Sequence, residues 1–402
     1  MRGLGIGRIA TMLLVMTILF PQGPGQAADG VKIGVLADMS GTLADIGGQG
    51  SVEAVKMAVE DFGGQVLGQP IDIVAADGQN RRDVAVAIAR NWYESGVDVI
   101  TDIPTSDVAL AVAQLARERK KIALVTSAGS SDITGKSCSP NTAHWTWDTY
   151  AMSHGTVESI MKRGGKEWFF ITADYVFGHA LERDAAAVVN ANGGRVHGAV
   201  RHTLGTLDFS SFFLQAQGSR ANIVGFANAG SDTINAVRQA IAFGLPQGGT
   251  QLVALIAFIN DIHSIGLKDA QGLMLTEAFY WDLDEATRAW SQRFFARTRR
   301  MPSMTQAGAY SAVLHYLKAV QAAGTRDADQ VMAQMRAMPI NDVMTHDGKL
   351  RIDGRVLRDM YLFRVKKPQE SKSEWDLYKL VTKIPAEQAF RPLSEGGCPL
   401  AK

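Results

Sequence analysis

Residues Val31 to Gly50, VKIGVLADMSGTLADIGGQG, form a glycine-rich turn between an apolar strand and an amphipathic helix, Ser51 to Phe62. Backbone N–H groups at such a helix start favour a small anion, so capture of an anionic solute is the first chemistry this stretch offers. Asp38, Asp45 and Glu53 form a carboxylate group nearby, which pairing with the helix dipole explains without catalysis. No G-x-G-x-x-G follows the strand, because Ala37-Asp38-Met39-Ser40-Gly41 fills that turn. A dinucleotide site is therefore unsupported. P-loop, H-E-x-x-H and G-x-S-x-G patterns are absent as well. The eight histidines are scattered, and the nearest useful pair, His197 and His202, falls in or beside a strand pattern. No catalytic set assembles, and neither a cofactor nor a metal is expected.

An export signal stands in front of the turn. Arg2 and Arg8 flank the start, Ile9 to Phe20 is apolar, and small residues lead to an expected cleavage after Ala27. The run is too short to span a bilayer, so residues 1–27 are set aside as a secretory signal. Removing those 27 of 402 residues leaves 375, enough for two domains with their own cores. It also removes two arginines, leaving 39 basic against 40 acidic residues. That balance gives no electrostatic case for binding nucleic acid. Arg297, Arg299 and Arg300 make the main basic cluster, as a solvated helix end would.

Cys138 and Cys398 are the only cysteines. In an exported chain they are expected to form one disulfide, with two free thiols as the alternative. Closing so long a loop would remove ~5 kcal/mol of unfolded-state entropy in the simple chain picture. Two sulfurs without a nearby histidine pair do not make a zinc shell.

The first half alternates strand and helix. Val31–Ala37, Ile71–Ala76, Val97–Thr101 and Ile122–Thr126 are short apolar runs, and helical spacing fills the gaps between them. This order predicts a parallel sheet covered on both faces. After a break near Ser139–Asp148, a second series follows: Trp168–Thr172, Arg195–His202, Ala221–Phe226 and Gln251–Ile256, with helices Gly178–Asn192 and Asp232–Phe243. Leu273–Tyr280 reads as one more strand. Helices Ala286–Arg299, Gln306–Ala323 and Ala328–Met338 precede a polar tail with strands Lys349–Ile352, Met360–Val365 and Trp375–Val381.

With Asp77–Arg90 (DGQNRRDVAVAIAR) and Thr126–Thr134 (TSAGSSDIT) spaced behind Val31–Gly50, the chain resembles the periplasmic substrate-binding proteins of branched-chain amino acid type ABC importers. The resemblance implies an α/β fold of two doubly wound parallel-sheet lobes joined by three crossovers, the type I periplasmic binding protein fold. It implies a first lobe of residues 28–146 plus 280–342 and a second of 147–279 plus 343–390. Residues 391–402 would be a tail pinned to the first lobe through Cys138–Cys398. Crossings are expected near Trp145–Asp148, near Glu277–Tyr280 and before His346. The implied partners are a small-molecule carboxylate and an inner-membrane ABC permease, the protein acting as a periplasmic monomer without enzymatic activity.

By the same resemblance, a ligand carboxylate meets hydroxyls and N–H groups of two first-lobe loops, here Thr105 with Ser106, and Ala128-Gly129-Ser130. Plain helix capping is the other reading of Ser106 and Ser130. The departures bear on the ligand. Ile46 stands where an aromatic is usual, Phe177 with Tyr175 nearby where a tyrosine is, and Asn228-Ala229-Gly230 where another tyrosine falls. The acid that would meet an α-ammonium group falls around Ile256, and no Asp or Glu lies between Asp232 and Asp261. A buried ammonium without a partner is costly, so an α-amino acid is not expected. Trp145, Trp147 and Tyr150 at the first crossing, and Phe279, Tyr280 and Trp281 at the second, offer ring faces to an aromatic carboxylate, with hinge packing as the alternative. The tail (Met360–Phe363, Trp375–Leu380, Cys398–Leu400) resembles a subgroup that binds lignin-type aromatic acids. Amino acids, amides or urea-like solutes remain alternatives on the same fold, as does a sensor role, and more remotely an exported α/β enzyme.

Overall fold

The computed structural model describes Met1 and residues 30–401, so the expected signal lies outside the described residues. Lys32–Ala37, Asp72–Asp77, Val99–Asp102, Ile122–Val125 and Thr142–His144 form a five-stranded parallel sheet, with Lys32–Ala37 between Asp72–Asp77 and Val99–Asp102. Most residues of its inner strands are buried on both faces, which is why they read as continuous apolar runs rather than alternating ones. Thr142–His144 is too short and too polar to show a period, and it occupies the expected break between the two series.

A second parallel sheet has four strands in the spatial order Gln251–Ala254, Ile223–Ala227, Glu167–Ala173, Arg195–His202. Met274–Glu277 joins neither parallel sheet. It pairs antiparallel with Met360–Val365, which pairs antiparallel with Tyr378–Ile384. The last strand thus starts three residues later than the apolar run from Trp375, because Trp375 turns inward to pack against His263.

Helix Gly48–Phe62 buries Val52, Val55 and Val59 on one stripe and ends at Gly63, whose φ of 109° only glycine adopts easily. Helix Met304–Ala323 packs on it and is buried along most of its length. Helix Glu285–Thr298 also packs on Gly48–Phe62, tied by Arg293 to Asp61 and by Arg297 to Glu60. Two members of the basic cluster are therefore paired rather than merely solvated, Arg297 with Glu60 and Arg300 with Asp45.

The chain is still on the first sheet beyond His346. The His144 N–H donates to Gly354 O at 2.8 Å, and His144 bridges to Arg355. Only after Arg358 does it enter the antiparallel sheet. Cys138 and Cys398 form a disulfide with Cα atoms 5.6 Å apart, and Arg391 donates to Ser131 O nearby, so the tail is held to the loops after the fourth strand. Among the described residues, no helix is long and apolar enough to cross a membrane.

Candidate functional site

A narrow cavity of about 20 Å³ lies between the two parallel sheets, at the carboxyl ends of their strands, where wound sheets place ligands. Leu43, Ile46, Gly47, Gly48, Asp102, Pro104, Ser127 and Gly129 line it from the first sheet's loops. Trp147, Tyr175, Phe177, Ala229 and Phe258 line it from the first crossing and the second sheet.

The first wall is built by backbone. Asp38 accepts N–H groups from Gly41 at 2.7 Å and Leu43 at 2.8 Å, and the Asn80 amide as well, which folds the loop toward the cavity. That acid is structural and saturated. At the end of strand Val99–Asp102 two non-glycine residues in a row take left-handed backbone, Asp102 with φ 72° and Ile103 with φ 61°. Such residues cost about 1–3 kcal/mol each and persist only where neighbours hold them. Here Ile103 N–H donates to Leu36 O, Thr126 and Ser127 N–H groups donate to Asp102 O, and Ala128 N–H donates to Ile103 O.

The turn delivers the Asp102 carboxyl, fully buried, to the cavity. One oxygen accepts the Ser127 hydroxyl and the other, Oδ2, has no partner. A side chain at Gly47 would put its Cβ 2.6 Å from that oxygen. Burial pushes the Asp102 carboxyl up to about 6. The Ser127 hydroxyl, with Ser51 and the Gly48 N–H close by, offsets part of this, and the charge on Asp38 adds to it.

The second wall is built by rings. Trp147 meets Phe177 edge-on at 5.8 Å and Phe258 at 5.9 Å between centroids, and Tyr175 lies 5.8 Å from Phe177. The Trp147 ring lies flush against Gly129, where an added Cβ would collide with it. Phe258 is fixed by its N–H, which donates to Asp261 at 2.9 Å; burial pushes the Asp261 carboxyl up to about 7. The walls touch. Ser231 N–H donates to Thr42 O at 3.0 Å, and the Asn260 amide donates to Asp45 O at 2.7 Å.

Of the residues expected to meet a ligand, Ile46, Gly129, Trp147, Tyr175 and Phe177 come together on the cavity. The others do not line it. Ser106 Oγ accepts the Ser130 N–H at 3.1 Å and pins the two loops to each other, and Ser130 Oγ caps the turn Ser131–Thr134. Both hydroxyls act as acceptors in these bonds, and neither serine lines the cavity. Ala128 faces the core, its carbonyl accepting from His144. Thr105 precedes the helix Ser106–Glu118 with a buried, unpartnered hydroxyl, but only Pro104 before it reaches the cavity. Asn228 is held by Thr233 and His202, and Ile256 is core. Tyr280 is hinge packing: Leu377 N–H donates to its hydroxyl at 3.2 Å and its ring stacks on Tyr378.

Asp102, Ser127 and Phe258 line the cavity without having been expected there. Asp102 carries no sequence signal beyond an acid ending an apolar run, since its role depends on a backbone twist that no periodicity reveals. Phe258 lies within sight of the sequence reading, two residues beyond Ile256.

The sequence model of a periplasmic binding protein matches residues 30–372. The chain belongs to that family. It is a periplasmic solute-binding protein of the ABC-transporter kind, and such proteins work with a permease. It is similar to a periplasmic binding protein of Burkholderia mallei, with 52% identity, 94% of this chain and 100% of that one covered, and a TM-score of 0.91. It is also similar to a branched chain amino acid ABC transporter periplasmic ligand-binding protein of Burkholderia xenovorans (41%, 92% and 100% covered, TM-score 0.82). A solute-binding protein of R. palustris in complex with benzoate shares the fold at 20% identity, with 92% and 100% covered and a TM-score of 0.81.

Proposed function

We propose that this protein captures a small aromatic carboxylate between its two sheets and delivers it to an ABC permease. The observation that carries this reading is the second wall. Trp147, Tyr175, Phe177 and Phe258 surround one cavity whose lining contains no Lys, Arg or His among the described residues. The rings pack edge-on against one another, 5.8 and 5.9 Å between centroids, and together present an aromatic wall suited to a flat apolar body. The carboxylate end would meet N–H groups rather than hydroxyls. The Gly129 N–H makes no hydrogen bond among the described residues, and the first turn of helix Ser106–Glu118 leaves its N–H groups open behind Pro104. That a protein of the same fold holds benzoate is consistent with this. Ligand would shift the closure equilibrium through its contacts to the second wall.

A branched-chain amino acid is the second reading, favoured by the acid on the cavity, Asp102, and by the name of the 41% identical relative. Calorimetry with benzoates and with leucine separates them: the aromatic reading expects heat and saturation with a benzoate and none with leucine. Export with cleavage near Ala27 and action as a monomer belong to the same proposal. N-terminal sequencing and sedimentation of the secreted protein test them.

A further inference from the structure

We infer that Asp102 selects the ligand by accepting a hydroxyl hydrogen, so that the preferred aromatic acid carries a hydroxyl group on its ring. This rests on the aromatic-acid reading above and narrows it.

Two buried acids at the ends of neighbouring strands show what is unusual. Asp38 uses both carboxylate oxygens on the loop it folds, accepting from Ser40, Gly41, Leu43 and Asn80. Asp102 accepts one well-formed hydrogen bond, from Ser127, and leaves Oδ2 without one, although the Ser51 hydroxyl and the Gly48 N–H lie close by and the residue is fully buried and lines the cavity. A purely structural acid has no reason to leave an oxygen unpaired, because a buried unpartnered acceptor costs about 1–3 kcal/mol. The strained backbone at Asp102 and Ile103 adds to that cost, and strain of this kind gathers at ligand sites. A ligand donor at Oδ2 would recover the first cost.

The number of acceptors decides which donor. Asp102 Oδ2 is the one unpartnered buried side-chain acceptor on the lining, among the described residues. An ammonium group brings three N–H bonds and a hydroxyl brings one. The only other unpartnered buried side-chain polar atom of the lining, among the described residues, is Trp147 Nε1, a donor. One acceptor suits one hydroxyl. An analogue lacking that hydroxyl leaves the acid unpaired, which is the arrangement that discriminates most sharply between ligands.

The test compares benzoate with 2-, 3- and 4-hydroxybenzoate by calorimetry, on the wild-type protein and on Asp102→Ala and Asp102→Asn, with folding checked by thermal melts. The expected result is that the best hydroxybenzoate binds the wild type about tenfold or more tightly than benzoate does. In Asp102→Ala that ratio should fall to about one, with Asp102→Asn between, because asparagine keeps an acceptor without the charge. A wild-type ratio near one, or a ratio that survives in a folded Asp102 variant, overturns the assignment and leaves the aromatic reading standing. Leucine binding with no response to any benzoate overturns both. Should neither variant fold, the wild-type ratio alone decides.

Discussion

The two walls of the cleft are made of different materials. The first wall is largely loop backbone: Gly47, Gly48, Pro104 and Gly129 bring main chain to the cavity, with Leu43, Ile46 and Ser127 beside them and one acid, Asp102, among them. The second wall is side chain: three of its residues are rings, and Trp147 at the crossing adds a fourth. Main chain and a single carboxyl fix position and polarity, while rings supply area with little directionality. Each kind of selectivity therefore has its own place. Polar discrimination belongs to the first wall and preference for a flat apolar body to the second.

The heaviest blow falls where the walls meet. Gly129→Val drives a side chain into the Trp147 ring, and should abolish binding while costing about 1–3 kcal/mol by overpacking. Unchanged affinity in calorimetry would mean that Trp147 does not shape the site. Next is a pair of substitutions read against each other. Trp147→Ala should lower stability by about 3 kcal/mol and eliminate preference for aromatic acids. Ser130→Ala, which removes only a cap, should cost about 1 kcal/mol and leave the order of ligand preference alone. If Ser130→Ala weakens binding as much as Trp147→Ala, the carboxylate does rest on that hydroxyl and the wall assignment is wrong.

That pair also separates what is legible in the sequence from what is not. Tyr175 and Phe177 are legible through the family resemblance, which places an aromatic in their stretch, and Trp147 as one of the rings gathered at the first expected crossing. The two parallel sheets are legible from buried apolar runs, as is the Cys138–Cys398 disulfide from the extracytoplasmic setting. Asp102 is not, because its exit from the strand depends on two consecutive left-handed residues that no local pattern announces. The serines mislead because a hydroxyl at a helix start serves a cap and a ligand equally well, and only geometry shows Ser106 accepting from Ser130 and standing off the cavity. The case against amino acids rests on the empty position at Ile256, and the acid on the other wall weakens it. The antiparallel third sheet is hidden because Met274–Glu277 is as apolar as a parallel strand.

A smaller, graded effect comes from pH. Burial holds Asp102 and Asp232 up to about 6 and Asp261 up to about 7, against an ordinary value near 3.8. Between about pH 4 and 7 these acids bind more protons in the folded chain than in the unfolded one, so their contribution to stability falls as pH rises through that window, while His144, His202 and His315, held low by burial, contribute in the opposite direction. Asp61 and Asp77 are desolvated too, but hydrogen bonds outweigh that and hold them low, so they act in the opposite direction below it. Measured against Asp102→Asn, which lacks the titrating carboxyl, the ligand-free wild type should lose melting temperature as pH rises from about 4 to 7. A difference between the two proteins that does not change with pH would contradict the burial of Asp102.

The slightest change expected is at the contact between the walls. Asn260→Ala removes the bond to Asp45 O and should weaken ligand binding about fivefold, the equivalent of roughly 1 kcal/mol, through faster release. Stopped-flow dissociation reads it directly, and an unchanged release rate would show that this bond does not hold the closed form.

Whether the cleft takes an aromatic acid is settled most simply by calorimetric titration of the purified, ligand-stripped protein with benzoate, its hydroxylated forms and leucine under one set of conditions. Saturable binding of an aromatic acid, with no measurable heat from leucine, is the expected outcome. Saturable leucine binding, with every aromatic acid inert, would contradict it.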